Sequence, residues 1–343
     1  MRTVVYAATG GPEVLHLTDE PLPEPGPGEL RVRVVRSGVN PTDWKSRVGR
    51  GPGKRVDPAQ IPGQDGAGVV EAVGEGVPAS WLGLDVWVWE SAFRRRWGTT
   101  SEQTLVRSSH LAPLPSRRPG GADHDLGAAL GIPFLTAHRC LTVSEEGPLR
   151  LGPGTLAGRT VLVTGGAGAV GNAAIQLARW SDATVVTTVS GPAKGRLAAA
   201  AGADHVVDYR QDDVAAEVRR IAPHGVNVVV EVNPQANAGV VGRLLAPHAA
   251  VATYADDGGG AEVPVPVRGS MVPNARWQFV LVYTEPAAAK ARAVDDLGAA
   301  MLDGAIGVGE AHGLPLHHFP LDQAAQAHAA VEQGAVGKVL IVP

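Results

Sequence analysis

Cysteine is nearly missing from this chain: Cys140 stands alone in 343 residues. No internal disulfide can form, and no thiolate-rich zinc site can be assembled. Neither sign of charge is in excess. Lys and Arg total 30 against 34 Asp and Glu, for a formal charge of −4 and a pI near 6.3. That balance gives no electrostatic reason to expect nucleic acid or an anionic membrane surface as partner. No apolar run approaches the roughly 20 residues needed to cross a bilayer. The opening MRTVVYAATGGPEV lacks the apolar segment of a signal peptide. Internal repeats are absent too. A cytoplasmic protein acting on a small molecule is the expectation.

What the chain does have is glycine, 44 of them, and one stretch uses them in a telling order. Val161-Leu162-Val163 read as a buried strand. Gly166-x-Gly168-x-x-Gly171 follows, and then a helical pattern with Val170, Ala174, Leu177 and Ala178 on one face. Asn172, Gln176 and Arg179 fall on another face. Strand, GxGxxG and helix in that order suit a dinucleotide. Gly166 is expected to permit the tight turn, Gly168 to admit a pyrophosphate, and Gly171 to let helix pack on strand.

Length and pattern imply two domains at about 150 residues each. The first part carries short strands at Thr3–Ala7, Val14–Thr18, Leu30–Val35, Ala67–Val73, Trp81–Glu90 and Ser101–Arg107. Glycines and prolines separate them, as in a partly open barrel. A helix begins near Leu126, interrupted or begun around Pro133. Beyond the glycine stretch, apolar runs alternate with helical ones, the signature of parallel βαβ units. Gln278–Thr284 reads as a further strand at an edge or between subunits, and Asp322 as the cap of a late helix.

Several blocks stand in order along the chain: GVNPTD from Gly38, PGQDGAGVVEAVGEGV from Pro62, GIPFLTAHRCL from Gly131, VLVTGGAGAVGNAAIQLA from Val161 and GADHVVDYR from Gly202. FPLDQAAQAHAAVEQGAVGKVLI from Phe319 completes the set. Together they resemble the medium-chain dehydrogenase/reductase superfamily, and within it the zinc-independent quinone oxidoreductases, the zeta-crystallin group. The resemblance implies a Rossmann doubly wound parallel sheet domain inserted in a GroES-like, partly open β-barrel. Its boundaries would fall at 1–133, 134–270 and 271–343, the last segment holding an edge strand and the return to the barrel. It also implies a homodimer.

Where zinc alcohol dehydrogenases of the superfamily carry a cysteine and a histidine, this chain has Asn40 and Gln64. Amides are poor zinc ligands, so no metal is expected. The strand after the glycine stretch ends Thr188-Val189-Ser190-Gly191 without the acid that binds a ribose 2′-hydroxyl in NAD sites. Ser190, Lys194 and Tyr209 match positions that hold the 2′-phosphate of NADPH in the resembled group. The resemblance further places Asn40, Thr136, Ala169, Val170, Phe279 and Lys338 beside the cofactor. Asn40 and Gln64 would touch the substrate, and Asp43 would relay a proton or cap a helix. Trp44, Lys45 and Arg47 would line the cleft, with Phe93–Trp97 as another loop able to meet a planar acceptor. The activity implied is hydride transfer from NADPH to a quinone. Reduction of an enone or enoyl thioester, and non-catalytic NADPH binding, are the alternatives.

Overall fold

The computed structural model describes residues 1–116, 121–255 and 262–343. Among them the chain divides into two compact units, Met1–Ile132 with Pro315–Pro343, and Pro133–Leu314. The division falls inside one continuous helix, His124–Leu141, which carries Pro133 without breaking.

The spine of the first unit is the eleven-residue strand Glu29–Val39. Leu30, Val32 and Val34 turn inward while Arg31 and Arg33 turn out, the period of two that a half-buried strand requires. It pairs antiparallel with Asp65–Val73, Gln103–Arg107 and, from the far end of the chain, Lys338–Val342. Asp85–Val88, Leu111–Pro113 and Leu316–Pro320 extend this sheet to seven strands. Arg2–Ala8, flanked by His16–Asp19 and Arg55–Gln60, makes a smaller one. Leu30, Val32, Val70, Val86 and Val106 form one core; Val4, Tyr6, Val39, Leu321 and Ile341 form another.

The second unit holds six parallel strands. Their order is His205–Asp208, Thr184–Val189, Thr160–Thr164, Val226–Glu231, Leu245–Thr253 and Arg276–Phe279. All five pairings are parallel. Strands covered on both faces need apolar residues throughout, which is why Val161, Leu162, Val163, Val228, Val229 and Val230 are all buried. Strand order reverses between Thr160–Thr164 and Val226–Glu231, so a crevice for ligand opens at the carboxyl ends there.

Local chemistry moved several elements from where the sequence pattern put them. On the polar face of helix Ala169–Trp180 only Arg179 is exposed; Asn172 and Gln176 meet protein instead of solvent. Asn172 Nδ2 donates to the His312 carbonyl at 2.8 Å, and Gln176 exchanges two hydrogen bonds with the backbone of Gly307. Both side chains are thereby buried. Of Trp81–Glu90 only Asp85–Val88 is strand, and Gln278–Thr284 is replaced by the strand Arg276–Phe279 and a 3₁₀ turn, Val282–Thr284. The N-cap of helix Ala324–Glu332 is Gln323, not Asp322, which lies in the preceding 3₁₀ turn Leu321–Gln323. Within the segment 271–343, strand Arg276–Phe279 and helix Ala287–Asp303 lie in the second unit, and the return to the first unit begins at Pro315.

His328, on helix Ala324–Glu332, is fully buried, with no hydrogen-bond partner for either ring nitrogen among the described residues. Burial, aided by the Arg47 charge, pushes its pKa down to about 3. The unfolded chain therefore binds this proton near pH 6.5 and the folded chain does not, so stability falls as pH drops below that value. Between pH 7 and pH 5 the loss is about 2 kcal/mol. His328→Leu should remove that share of the acid dependence, as read by chemical denaturation at the two pH values.

Candidate active site

Strand Thr160–Thr164 ends in a turn whose glycines have separate tasks. Gly165 takes φ +69°, so the tight turn belongs to it and not to Gly166. Gly166 is needed for another reason: a Cβ there would lie 2.1 Å from Thr187 Oγ1. At Gly171 a Cβ would lie 2.4 Å from the Gly165 carbonyl, because the helix packs directly on the turn. Gly168 caps helix Ala169–Trp180 with no side-chain hydrogen bond, and its nearest neighbour to an added Cβ is 3.4 Å away. The first N–H groups of that helix, at Ala169 and Val170, have no acceptor within the helix, and with exposed Gly168 before them this is the kind of helix start that accepts a phosphate.

A cavity of 570 Å³ adjoins this turn. Gly165, Gly168, Thr164, Lys194, Tyr209 and Asn237 are on its wall, and Lys194 is the one charged side chain among the described lining residues. Ser190 follows strand Thr184–Val189 and is half-buried, but it is not part of that wall. Thr136 is buried within helix His124–Leu141. Phe279, 61% exposed on strand Arg276–Phe279, belongs to a separate depression of 760 Å³ shared with Thr253, Pro234 and Leu281.

The first unit buries a knot of charge. Asn40 Nδ2 donates to Asp65 Oδ2 at 2.6 Å, and Lys338 Nζ donates to Asn40 Oδ1 at 2.7 Å while lying 3.5 Å from Asp65. Asp65 Oδ1 also accepts from the Ile132 N–H at 2.9 Å. Asp43, at the start of helix Pro41–Val48, accepts from the backbone N–H of Asn40 (2.7 Å) and of Gln64 (3.1 Å). All five side chains are buried. Desolvation pushes Asp43 up to about 7, with the Asp65 charge adding to the shift. Desolvation likewise raises Asp65 and lowers Lys338, opposed by their mutual attraction.

Asn40, Asp43, Gln64 and Lys338 are thus neighbours, and Asp65 is the member that the sequence reading missed. Its one signal was an acid inside the glycine-rich run GQDGAG. Gly131 belongs to the same knot: a Cβ there would lie 2.0 Å from Asp65 Oδ1. Within the knot the Asn40 oxygen and one amide hydrogen are already engaged, and both Asp43 oxygens hold backbone. Gln64 differs, since its Oε1 is buried without a hydrogen-bond partner among the described residues.

Other residues expected near substrate have structural duties. Arg47 is fully buried and joins helix Pro41–Val48 to Glu332 at 2.7 Å. Arg95 pairs with Glu29 at 2.6 Å, and Arg96 with Glu20 and the Ala59 carbonyl, so the Phe93–Trp97 loop is pinned to its own unit. Lys45 lies over the Trp44 ring at 5.8 Å.

Family models for an alcohol dehydrogenase GroES-like domain and a zinc-binding dehydrogenase match residues 26–116 and 169–298. A quinone oxidoreductase of Lama guanicoe is 30% identical, over 100% of this chain and 97% of its own. Among solved structures, a mycobacterial protein complexed with NADPH has a TM-score of 0.81 at 28% identity, covering 100% of both chains. An NAD-dependent alcohol dehydrogenase has a TM-score of 0.84 at 27% identity, again covering 100% of both. The chain belongs to the medium-chain dehydrogenase/reductase superfamily, in its quinone oxidoreductase group. Its fold combines a GroES-like with a Rossmann-type domain.

The charged knot makes a direct prediction. Lys338→Met leaves Asp65 buried without its counter-charge and should cost about 3–5 kcal/mol of stability. Asp65→Asn should cost a similar amount, and the double substitution less than the two losses added, as measured by a double-mutant cycle in denaturant.

Proposed function

We propose that this protein is an NADPH-dependent reductase delivering hydride to a quinone or similar conjugated carbonyl without a metal. The observation that carries the cofactor choice is the wall of the 570 Å³ cavity beside the glycine turn, with one cation, Lys194, and no acid among its described residues. A carboxylate there would favour a free 2′-hydroxyl; a lysine favours a 2′-phosphate. Gly165, Gly168 and the helix start at Ala169 and Val170 would hold the pyrophosphate, Lys194 and Tyr209 the 2′-phosphate. Ser190, Thr136 and Phe279 are assigned secondary contacts on the family resemblance. The NADPH bound in the mycobacterial relative supports the same choice.

Zinc does not suit the donors present. Asn40 is held by Asp65, and the Lys338 ammonium 2.7 Å from its oxygen would repel a divalent cation. Once bound, NADPH supplies the hydride, and a quinone or enone is electrophilic enough to accept it with positioning alone. Gln64, with its unpartnered oxygen, is our candidate for contact with the acceptor. Asp43 and Lys338 serve by fixing Gln64 and Asn40 in place.

With NADPH, Lys194→Ala should lower kcat/KM ten- to about a hundredfold, the worth of one charge-assisted hydrogen bond. With NADH the change should be under about threefold. Equal use of both cofactors by the unmutated protein would sink the NADPH assignment. The acceptor is tested by following NADPH oxidation with a quinone, an enone and an enoyl thioester side by side. The quinone should turn over fastest; tight NADPH binding with no turnover of any acceptor would favour a non-catalytic binding protein.

A homodimer is part of this reading. Among the described residues strand Arg276–Phe279 pairs on one side only, and exposed Phe279 ends it with exposed Leu281 two residues beyond. An open apolar edge invites a second copy. Light scattering on a sizing column should give twice the 35.3 kDa chain mass, and Leu281→Lys should shift the protein toward monomer. A monomer at every concentration tested would remove the dimer.

A further inference from the structure

One register row runs across the carboxyl ends of the parallel strands. Thr188 pairs with Thr164, Glu231 with Thr253, and Thr253 with Phe279. A hydrogen bond from Thr164 Oγ1 to Glu231 Oε1 (3.1 Å) joins the row at its centre. Glu231, the last residue of its strand, is fully buried, and hydride chemistry gives it no task.

What Glu231 does hold is the chain that follows it. Its Oε1 also accepts from the Asn233 N–H at 2.6 Å and from Asn237 Nδ2 at 2.8 Å. The Val232 N–H is tied to the same corner through Thr164 Oγ1 at 3.0 Å. This turn stands between the two depressions of the second unit. Val232 and Asn233 face the 570 Å³ cavity, whereas Pro234 faces the 760 Å³ one with Thr253 and Phe279.

A dinucleotide with its pyrophosphate on the glycine turn and its adenosine end toward Lys194 leaves only one direction for the other half. Strand order sends that half past Thr160–Thr164, over Val226–Glu231 and Leu245–Thr253. It must cross the turn that Glu231 anchors. We propose, resting on the dinucleotide reading above, that Glu231 is a positioning residue for the cofactor. It fixes the Val232–Pro234 turn as the ridge between the adenosine and nicotinamide halves, so that both can bind at once.

Burial holds the Glu231 carboxyl above its ordinary range, opposed by the donors on Oε1. An uncharged side chain of equal length can therefore take its place, and a shorter acid cannot. The test titrates NADPH and 2′,5′-ADP, which carries the adenosine half alone, against four proteins by calorimetry. These are the unmutated chain, Glu231→Gln, Glu231→Asp and Thr164→Val, with unfolding temperatures recorded for each.

Glu231→Asp withdraws the acceptor from its three donors and should weaken NADPH about tenfold, with 2′,5′-ADP unchanged within about twofold. Glu231→Gln should bind both ligands as the unmutated protein does. Thr164→Val removes one donor and should weaken NADPH about threefold; it carries the test if the aspartate variant does not fold. Equal loss of both ligands would reduce Glu231 to a merely structural residue and overturn the proposal, as would unchanged NADPH affinity. Failure of the unmutated protein to bind NADPH is a separate result, and it removes the cofactor reading itself.

Discussion

Burying Lys338 and Asp65 together is the constraint on which the first unit turns. Neither charge can be left alone in the interior, so each dictates where the other must be. Asn40 lies between them and bonds to both. The consequence is register. A slip of one residue in strand Lys338–Val342 against Glu29–Val39 would turn Lys338 to the opposite face and strand Asp65. Hydrophobic pairing alone would tolerate such an error better, since Val339, Leu340 and Ile341 are all apolar. The ion pair costs desolvation and in return allows a single alignment.

The second unit relies on closeness rather than charge. Gly166 and Gly171 are dictated by neighbours too near for a Cβ, and Gly165 by its backbone angle. Only Gly168 is free on its outer side, and that freedom faces the cavity. A motif of similar glycines thus separates into three that build the turn and one that leaves it open. On the other side of the sheet's switch point, Glu231 does by hydrogen bonding what the glycines do by absence of bulk. Each fixes a short turn against a strand end.

The parallel unit was legible because its signals are local. Valine runs, helical intervals and GGAGAVG all lie within a few residues of one another. What could not be read depends on partners distant in the chain. Arg47 looks like a cleft residue until Glu332, 285 positions on, takes its guanidinium. Asn172 and Gln176 read only as a second, polar helix face until the segment at Gly307–His312 folds over them. Asp65 showed only an acid within a glycine-rich run, because its partners are Lys338 and the Ile132 backbone. The turn glycine was misassigned by one position, since spacing alone cannot say which of two adjacent glycines takes a positive φ.

The pairing of strand Lys338–Val342 with Glu29–Val39 bears on the order in which the protein is made. Every strand of the parallel sheet lies within residues 133–314, so that unit can close while the ribosome is still adding residues. The first unit cannot close then. Its spine keeps an unpaired flank at Ser37–Val39, and Asp65 keeps no counter-charge, until strand Lys338–Val342 emerges. A chain ending just before Lys338 would carry a finished parallel unit beside an open, sticky sheet, the kind of intermediate that aggregates.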